Sequence, residues 1–207
     1  MRFGLYGGSF NPPHIGHLYI AEEVKRILRL DEVVMIPAGD PYLKDPATVA
    51  NKYDRLEMTK LLISDSINDI AYHEIEVERE GPSYTIDTLR QYKEWHPTAD
   101  FYVILGSDSF DDMENWKDKE EIIKNSTIVV VGRKDNPLLG FERSGTYATS
   151  WYCWWNDYRD KIVFLDIQKI DVSSTLIRNN IKECRQWKYL TTEKVANYIE
   201  QFNLYKE

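Results

Sequence analysis

Three short runs constrain this chain more than any other feature: EVVMIP (32–37), FYVIL (101–105) and TIVVV (127–131). Each is continuously apolar rather than alternating. A strand of that kind has no polar face to give to water, so both of its faces must be covered. Between the runs lie segments of helical period. Over 18–30, Ile20, Val24, Ile27 and Leu28 share one face, with Glu22, Glu23, Lys25 and Arg26 largely opposite. Residues 54–63, 83–95 and 120–124 also read as helices, and Ile86, Leu89 and Tyr92 share a side of the second. Further strands are expected over 2–6, 71–77 and 162–165. Two helices close the chain, the last with Val195, Tyr198, Ile199 and Phe202 at helical spacing. Doubly covered strands alternating with helices predict an α/β fold, a Rossmann-like doubly wound parallel sheet with helices on both faces.

The length of 207 residues fits a single domain spanning 1–207, with a helical part from about 173 packing on it. A net charge of −8 argues against a nucleic-acid partner, because backbone binding needs a basic surface. A local pocket can still hold a small anion. No apolar run approaches the about 20 residues that cross a bilayer, so no membrane partner is expected. No basic-then-apolar leader precedes the first strand. Cys153 and Cys184 are far apart and match no disulfide or zinc pattern, which suggests reduced thiols and a cytoplasmic chain. A homo-oligomer is compatible with all of this.

In a doubly wound sheet, ligands bind beyond the carboxyl ends of the strands. The informative loops are therefore 7–17, 38–44, 106–116 and 132 onward. The last, 132–160, lacks periodicity and reads as a long loop. The first reads GGSFNPPHIGH. Gly7 and Gly8 allow a close backbone approach and a tight turn. Pro13 suits a helix entry near Ile15, and His14 and His17 then share a face of the first turn. A helix N-terminus attracts anions, and two imidazoles beside it add donors for phosphate. Two other readings stand beside this one. An H-x-x-H pair supplies two zinc ligands, though no Cys or His is spaced to complete the set, and the histidines can instead be structural caps. Near the other end, DVSSTLIR puts Ser173, Ser174 and Thr175 at a helix start, with Arg178 one turn on. Read alone, that is also an ordinary capped helix with an exposed Arg.

GSFNPPHIGH resembles the signature of the HxGH nucleotidyltransferase superfamily, [ST]-x-x-P-x-H-x-G-H after the first strand, here Ser9, Pro12, His14, Gly16 and His17. The same superfamily carries an S-[ST]-[ST]-x-[IV]-R motif near its C-terminus, matched by Ser173–Arg178. The middle of the chain narrows the likeness. EREGPSYTIDTL (78–89), LGSDSFDDMENWKDKEEI (105–122), PAGDPYLKD and LTTEKVANYIEQFNLY resemble segments of the bacterial nicotinate mononucleotide adenylyltransferase family. Two features depart from it. Tyr42 and Leu43 stand where the family often has proline and histidine, and TSWYCWW, with Trp151, Trp154 and Trp155, has no counterpart.

The resemblance implies adenylyl transfer from ATP to nicotinate mononucleotide, giving nicotinate adenine dinucleotide and pyrophosphate in NAD biosynthesis. The mononucleotide phosphate attacks in line, with no covalent intermediate. His14, His17, Lys44 and Arg178 are the implied catalytic residues. Gly7, Gly8, Ser9, Phe10, Gly16, Arg133, Ser173, Ser174 and Thr175 are expected around ATP. Tyr84, Thr85, Gly106, Asp108 and Trp116 are expected around the mononucleotide. A flat indole suits a pyridine ring, and free N–H groups at a helix start suit its carboxylate. The other reading of Trp116 is an amphipathic core residue. Mg²⁺ is expected to arrive with ATP and to bridge phosphate oxygens, so no protein metal ligands are expected. The alternatives are an adenylyltransferase of the same fold acting on nicotinamide mononucleotide or phosphopantetheine, and a non-catalytic nucleotide sensor.

Overall fold

The structure is a computed structural model that describes residues 1–42, 44–132, 158–168 and 170–206. The strands are β1 (Arg2–Gly8), β2 (Glu32–Pro37), β3 (Ala71–Tyr72), β4 (Asp100–Gly106), β5 (Thr127–Gly132) and β6 (Ile162–Asp166). They form a six-stranded sheet in the order β3-β2-β1-β4-β5-β6. The pairs β2/β3, β1/β4, β4/β5 and β5/β6 all run parallel. The helices are α1 (Ile15–Leu28), α2 (Lys52–Ile63), α3 (Ile75–Glu78), α4 (Thr85–Trp95), α5 (Ser107–Asp111), α6 (Lys119–Asn125), α7 (Ser174–Lys182) and α8 (Glu193–Gln201). The parallel α/β sheet expected from the apolar runs is present. Its strand order reverses at β1, the position from which the ligand loop of such a sheet departs.

The chain divides into two compact units. One comprises Met1–Leu5 and Tyr84–Lys169, the other Tyr6–Ser83 and Ile170–Glu207. In the first, Leu89 of α4, Ile104 of β4, Ile123 of α6 and Val129 and Val130 of β5 are fully buried. In the second, Val24 of α1, Val33 and Met35 of β2, Met58 and Leu62 of α2 and Val195 of α8 are fully buried. Continuous apolar strands thus became central strands, as the need to cover both faces requires.

Some expectations are corrected. Residues 71–77 do not form one strand: β3 stops at Tyr72, and α3 follows. The chain turns because His73 Nδ1 accepts the Ile75 N–H at 3.1 Å, which starts a helical turn in place of a ladder. That turn passes closely over Gly39, where a Cβ would lie 2.0 Å from the Glu76 carbonyl oxygen. The 106–116 segment is not an open loop but α5 followed by a 3₁₀ turn, Asp112–Asn115. Ile27 and Phe202 fall outside the buried stripes assigned to them and are exposed. The long loop expected over 132–160 lies mostly outside the described residues, as do Cys153 and the three tryptophans near it.

Candidate functional site

The segment after β1 is shaped by where its carbonyls go. The Ser9 oxygen accepts from Arg55 Nη1 at 2.8 Å and the Asn11 oxygen from Arg178 Nη1 at 2.8 Å. The Pro12 oxygen accepts from Ser174 Oγ at 2.8 Å, the Pro13 oxygen from Thr191 Oγ1 at 2.9 Å and the His14 oxygen from the His17 N–H at 2.9 Å. A loop that binds anions must turn its carbonyl oxygens away, because they repel negative charge. Two adjacent prolines help, since neither carries an N–H that must be paired inside.

The two helix beginnings, α1 and α7, come together on this loop within one unit. Ser174 and Arg178 of α7 hold Pro12 and Asn11, and Val172 packs against Gly16 of α1. A Cβ at Gly16 would lie 2.8 Å from Val172 Cγ1 and 3.1 Å from His14 Nδ1, so this glycine is required by close approach. Gly7 and Gly8 do not make the expected tight turn. Both are strand residues, and the left-handed backbone belongs to Phe10, with φ at 44°. Gly8 admits the Phe10 ring, which stands 3.1 Å from where a Cβ would be, while Gly7 faces open space. Phe10 itself is buried against Tyr6 and His17, so its side chain supports an imidazole from behind.

His14 is the N-cap of α1, 7% exposed, and its ring stacks on that of His17 with centroids 3.6 Å apart. The His14 N–H donates to His17 Nδ1 at 3.1 Å. Nδ1 of His17 is therefore an acceptor, and its proton sits on Nε2. Burial pushes the His14 imidazole down to about 4. Burial, and then the neighbouring His14, hold His17 well below the ordinary imidazole range. Both rings are thus held neutral at pH 7, and His14 Nδ1 is buried without a hydrogen-bond partner among the described residues. The linkage has a definite sign. A histidine that protonates near 6.5 when unfolded and near 4 when folded binds more protons in the unfolded state between those values. Stability therefore falls as pH drops from about 6.5 to about 4, by roughly 3 kcal/mol from His14 alone. Urea unfolding at pH 7.5 and pH 4.5 measures that loss. NMR titration of the ring protons should show neither His14 nor His17 ionising near pH 6.5.

The hydroxyls of the second motif are engaged internally. Ser173 caps α7 by accepting the Leu176 N–H at 3.1 Å, and Thr175 Oγ1 accepts Arg178 Nη2 at 3.3 Å. Both oxygens accept there and keep their O–H protons for another partner, whereas Ser174 spends its proton on the Pro12 carbonyl and so braces the loop. Lys44 is exposed in the loop after β2, beside a concavity of about 330 Å³ that also borders Gly39, Tyr53 and Arg55. Arg133 lies outside the described residues.

The expected mononucleotide residues lie in the other unit. Tyr84 is the N-cap of α4 and Thr85 its first residue. The Lys117 ammonium stands 4.6 Å from the Tyr84 ring centroid and 3.2 Å from Asp87 Oδ2. Trp116 is half-buried, and its indole N–H is itself buried with no hydrogen-bond partner among the described residues. Gly106 caps α5 and faces open space, and Asp108 is exposed in the first turn of α5.

Three residues not among the expected site residues complete the support of this loop. Arg55 is 1% exposed and donates to Ser9, Gly39 and Ala50 carbonyls at 2.8, 2.9 and 3.0 Å. Asn11 donates to Thr48 O and accepts from the Ala50 N–H, and Tyr205 donates to the same Asn11 Oδ1 at 2.9 Å. Arg55 was legible in part. It shares the 55, 58, 59, 62 stripe with buried Met58, Thr59 and Leu62.

Residues 5–180 match a family model described as cytidylyltransferase-like. A probable nicotinate-nucleotide adenylyltransferase of Halalkalibacterium halodurans is 37% identical over 205 residues, covering 99% of this chain and 91% of that protein. One of the same name from Clostridium perfringens is 36% identical over 208 residues, covering 99% and 98%. Among solved structures, the Plasmodium falciparum nicotinic acid mononucleotide adenylyltransferase complexed with NaAD aligns with a TM-score of 0.77. It is 21% identical and covers 99% of this chain and 97% of that one.

Proposed function

The chain belongs to the cytidylyltransferase-like family, and from that premise we propose that it transfers the adenylyl group of ATP to nicotinate mononucleotide. The products are nicotinate adenine dinucleotide and pyrophosphate, and the activity is a step of NAD biosynthesis. The observation that carries this reading is the joining of the α1 and α7 beginnings on one loop whose Ser9, Asn11, Pro12 and Pro13 carbonyls are engaged by side chains inside the protein. It is supported by relatives of that name matched over 99% of the chain.

A 5′-phosphate oxygen of the mononucleotide attacks the α-phosphorus of ATP in line. One P–O bond forms as the bond to the β-phosphate bridge breaks. The attacking oxygen is already an anion, so no general base is required, and catalysis rests on position and charge. We assign the His17 Nε2–H and the His14 ring to the reacting phosphates, with the backbone of Gly7, Gly8, Ser9 and Phe10 and the Gly16 turn beside them. Lys44 and Arg178 neutralise the outer phosphates, next to Ser173, Ser174 and Thr175. The donors at the loop are N–H groups, neutral imidazoles and a guanidinium, which hold anionic oxygens rather than a cation. That set fits Mg²⁺ carried by the nucleotide, where the ion supplies charge neutralisation to the phosphates. On the other unit, Thr85 and the α4 start receive the ring carboxylate, Trp116 the pyridine face, and Gly106 and Asp108 the sugar. The exposed free thiol of Cys184 suits a reducing cytoplasm.

Pyrophosphate release with ATP and each mononucleotide tests the assignment. The acid is expected to exceed the amide in kcat/KM by about 10- to 100-fold, because a donor site built for a carboxylate is left unpaired by an amide. Equal rates with both would remove the carboxylate role of α4, and no turnover with either would remove the enzyme.

A further inference from the structure

A larger cavity of about 670 Å³ lies where the chain around Thr48, α7 and the C-terminal tail meet. Its lining includes Thr48, Asn51, Arg178, Asn179, Lys182 and Lys206, and no carboxylate among the described residues. On a chain of net charge −8 this is a local inversion of sign. Elsewhere on the same helices and turns the cations are paired: Arg185 with Glu183, Lys188 with Glu200, Lys194 with Asp65. The cavity cations are not. Arg178 donates only to the Asn11 carbonyl and Thr175 Oγ1, and Lys206 Nζ to Asn203 Oδ1 at 2.5 Å. Lys182 makes no hydrogen bond or ion pair among the described residues.

The wall behind them is built. Asn11, 4% exposed, ties Thr48, Ala50, Tyr205 and Arg178 into one network, and it belongs to the phosphate loop itself. Arg178 therefore belongs both to that loop and to the cavity. An anion leaving the loop on the Arg178 side meets two further ammonium groups: Lys182 has no side-chain partner among the described residues, and Lys206 has only the neutral Asn203 amide oxygen to surrender. We propose that this cavity receives pyrophosphate released from the reaction, with Lys182 and Lys206 as its holding residues. The inference rests on the adenylyltransferase reading for the origin of the anion, but the affinity of the cavity can be measured without turnover.

The experiment uses the full chain and the Lys182→Ala/Lys206→Ala double variant. Both side chains are exposed, so the fold should survive, and a thermal melt confirms it. Calorimetry with inorganic pyrophosphate alone is expected to show binding to the wild type and about tenfold weaker binding to the variant. In the reverse reaction, the KM for pyrophosphate should rise about tenfold while the KM for nicotinate adenine dinucleotide stays unchanged. Equal pyrophosphate affinity in the two proteins would overturn the proposal, as would inorganic phosphate binding the wild type as tightly as pyrophosphate. If no turnover occurs in either direction, the enzyme reading fails, and the calorimetric comparison still decides the cavity.

Discussion

Replacing His17 by alanine is expected to lower kcat by about 100- to 1,000-fold, the usual effect of deleting one aligned donor at a centre of developing charge. The size follows from the ring's constraints. Stacking on His14, the Phe10 edge and the bond from the His14 N–H fix its plane, so Nε2–H is aimed before substrate arrives. Because both imidazoles stay neutral, the donation persists across pH 6 to 8, and the rate should show no inflection there assignable to either ring. Alanine also removes the acceptor for the His14 N–H, which costs about 1 kcal/mol of helix capping. His17→Asn separates the two effects. Its side-chain oxygen can replace Nδ1 as the cap, but it places no donor at the Nε2 position. Single-turnover rates on His17→Asn should fall nearly as far as on His17→Ala while its melting temperature stays close to wild type. An asparagine variant of near-normal rate would show that His17 serves the helix and not the phosphates.

The second large effect is structural. Arg55→Met should destabilise the fold by about 3–5 kcal/mol, because buried carbonyl oxygens left unsatisfied cost about 1–3 kcal/mol each. The guanidinium is fully buried and has three carbonyls from three different segments as partners. Its removal leaves those oxygens without donors inside the protein. Desolvation lowers the Arg55 pKa, against the favourable influence of Tyr205 and Asp40, yet a guanidinium keeps its proton at any accessible pH. Lysine is a poor substitute, since one ammonium cannot span divergent acceptors that a planar fork reaches. Urea unfolding is expected to rank wild type above Arg55→Lys, and Arg55→Lys above Arg55→Met. Activity should fall in Arg55→Lys as well, because the Ser9 carbonyl it holds belongs to the loop proposed to bind the phosphates. Unchanged stability in Arg55→Met would mean that water replaces the guanidinium.

Much of the fold was legible because the signals were local. EVVMIP, FYVIL and TIVVV are too apolar to be half-exposed, and the structure buries them in β2, β4 and β5. The AYHEIEV segment failed because alternation looks the same in a strand and in a strand that ends in a helical turn. A side-chain bond from His73 decided between them. At Gly7 and Gly8 the expected tight turn is absent: both stay in the strand, where Gly8 leaves room for an aromatic ring and Gly7 presents an open face.

The parallel α/β class, most of the order of strands and helices and the positions of the two motifs were determined by the sequence alone, since periodicity and side-chain type act over a few residues. The tertiary structure decided which carbonyls of the first loop are turned inward, that the Ser174 hydroxyl is spent as a brace, and that two imidazoles are neutral. Arg178 and Asn11 are 167 positions apart, and no local preference relates them. Hydrogen bonding and desolvation depend on what is near in space, and the chain reveals that only once it is folded.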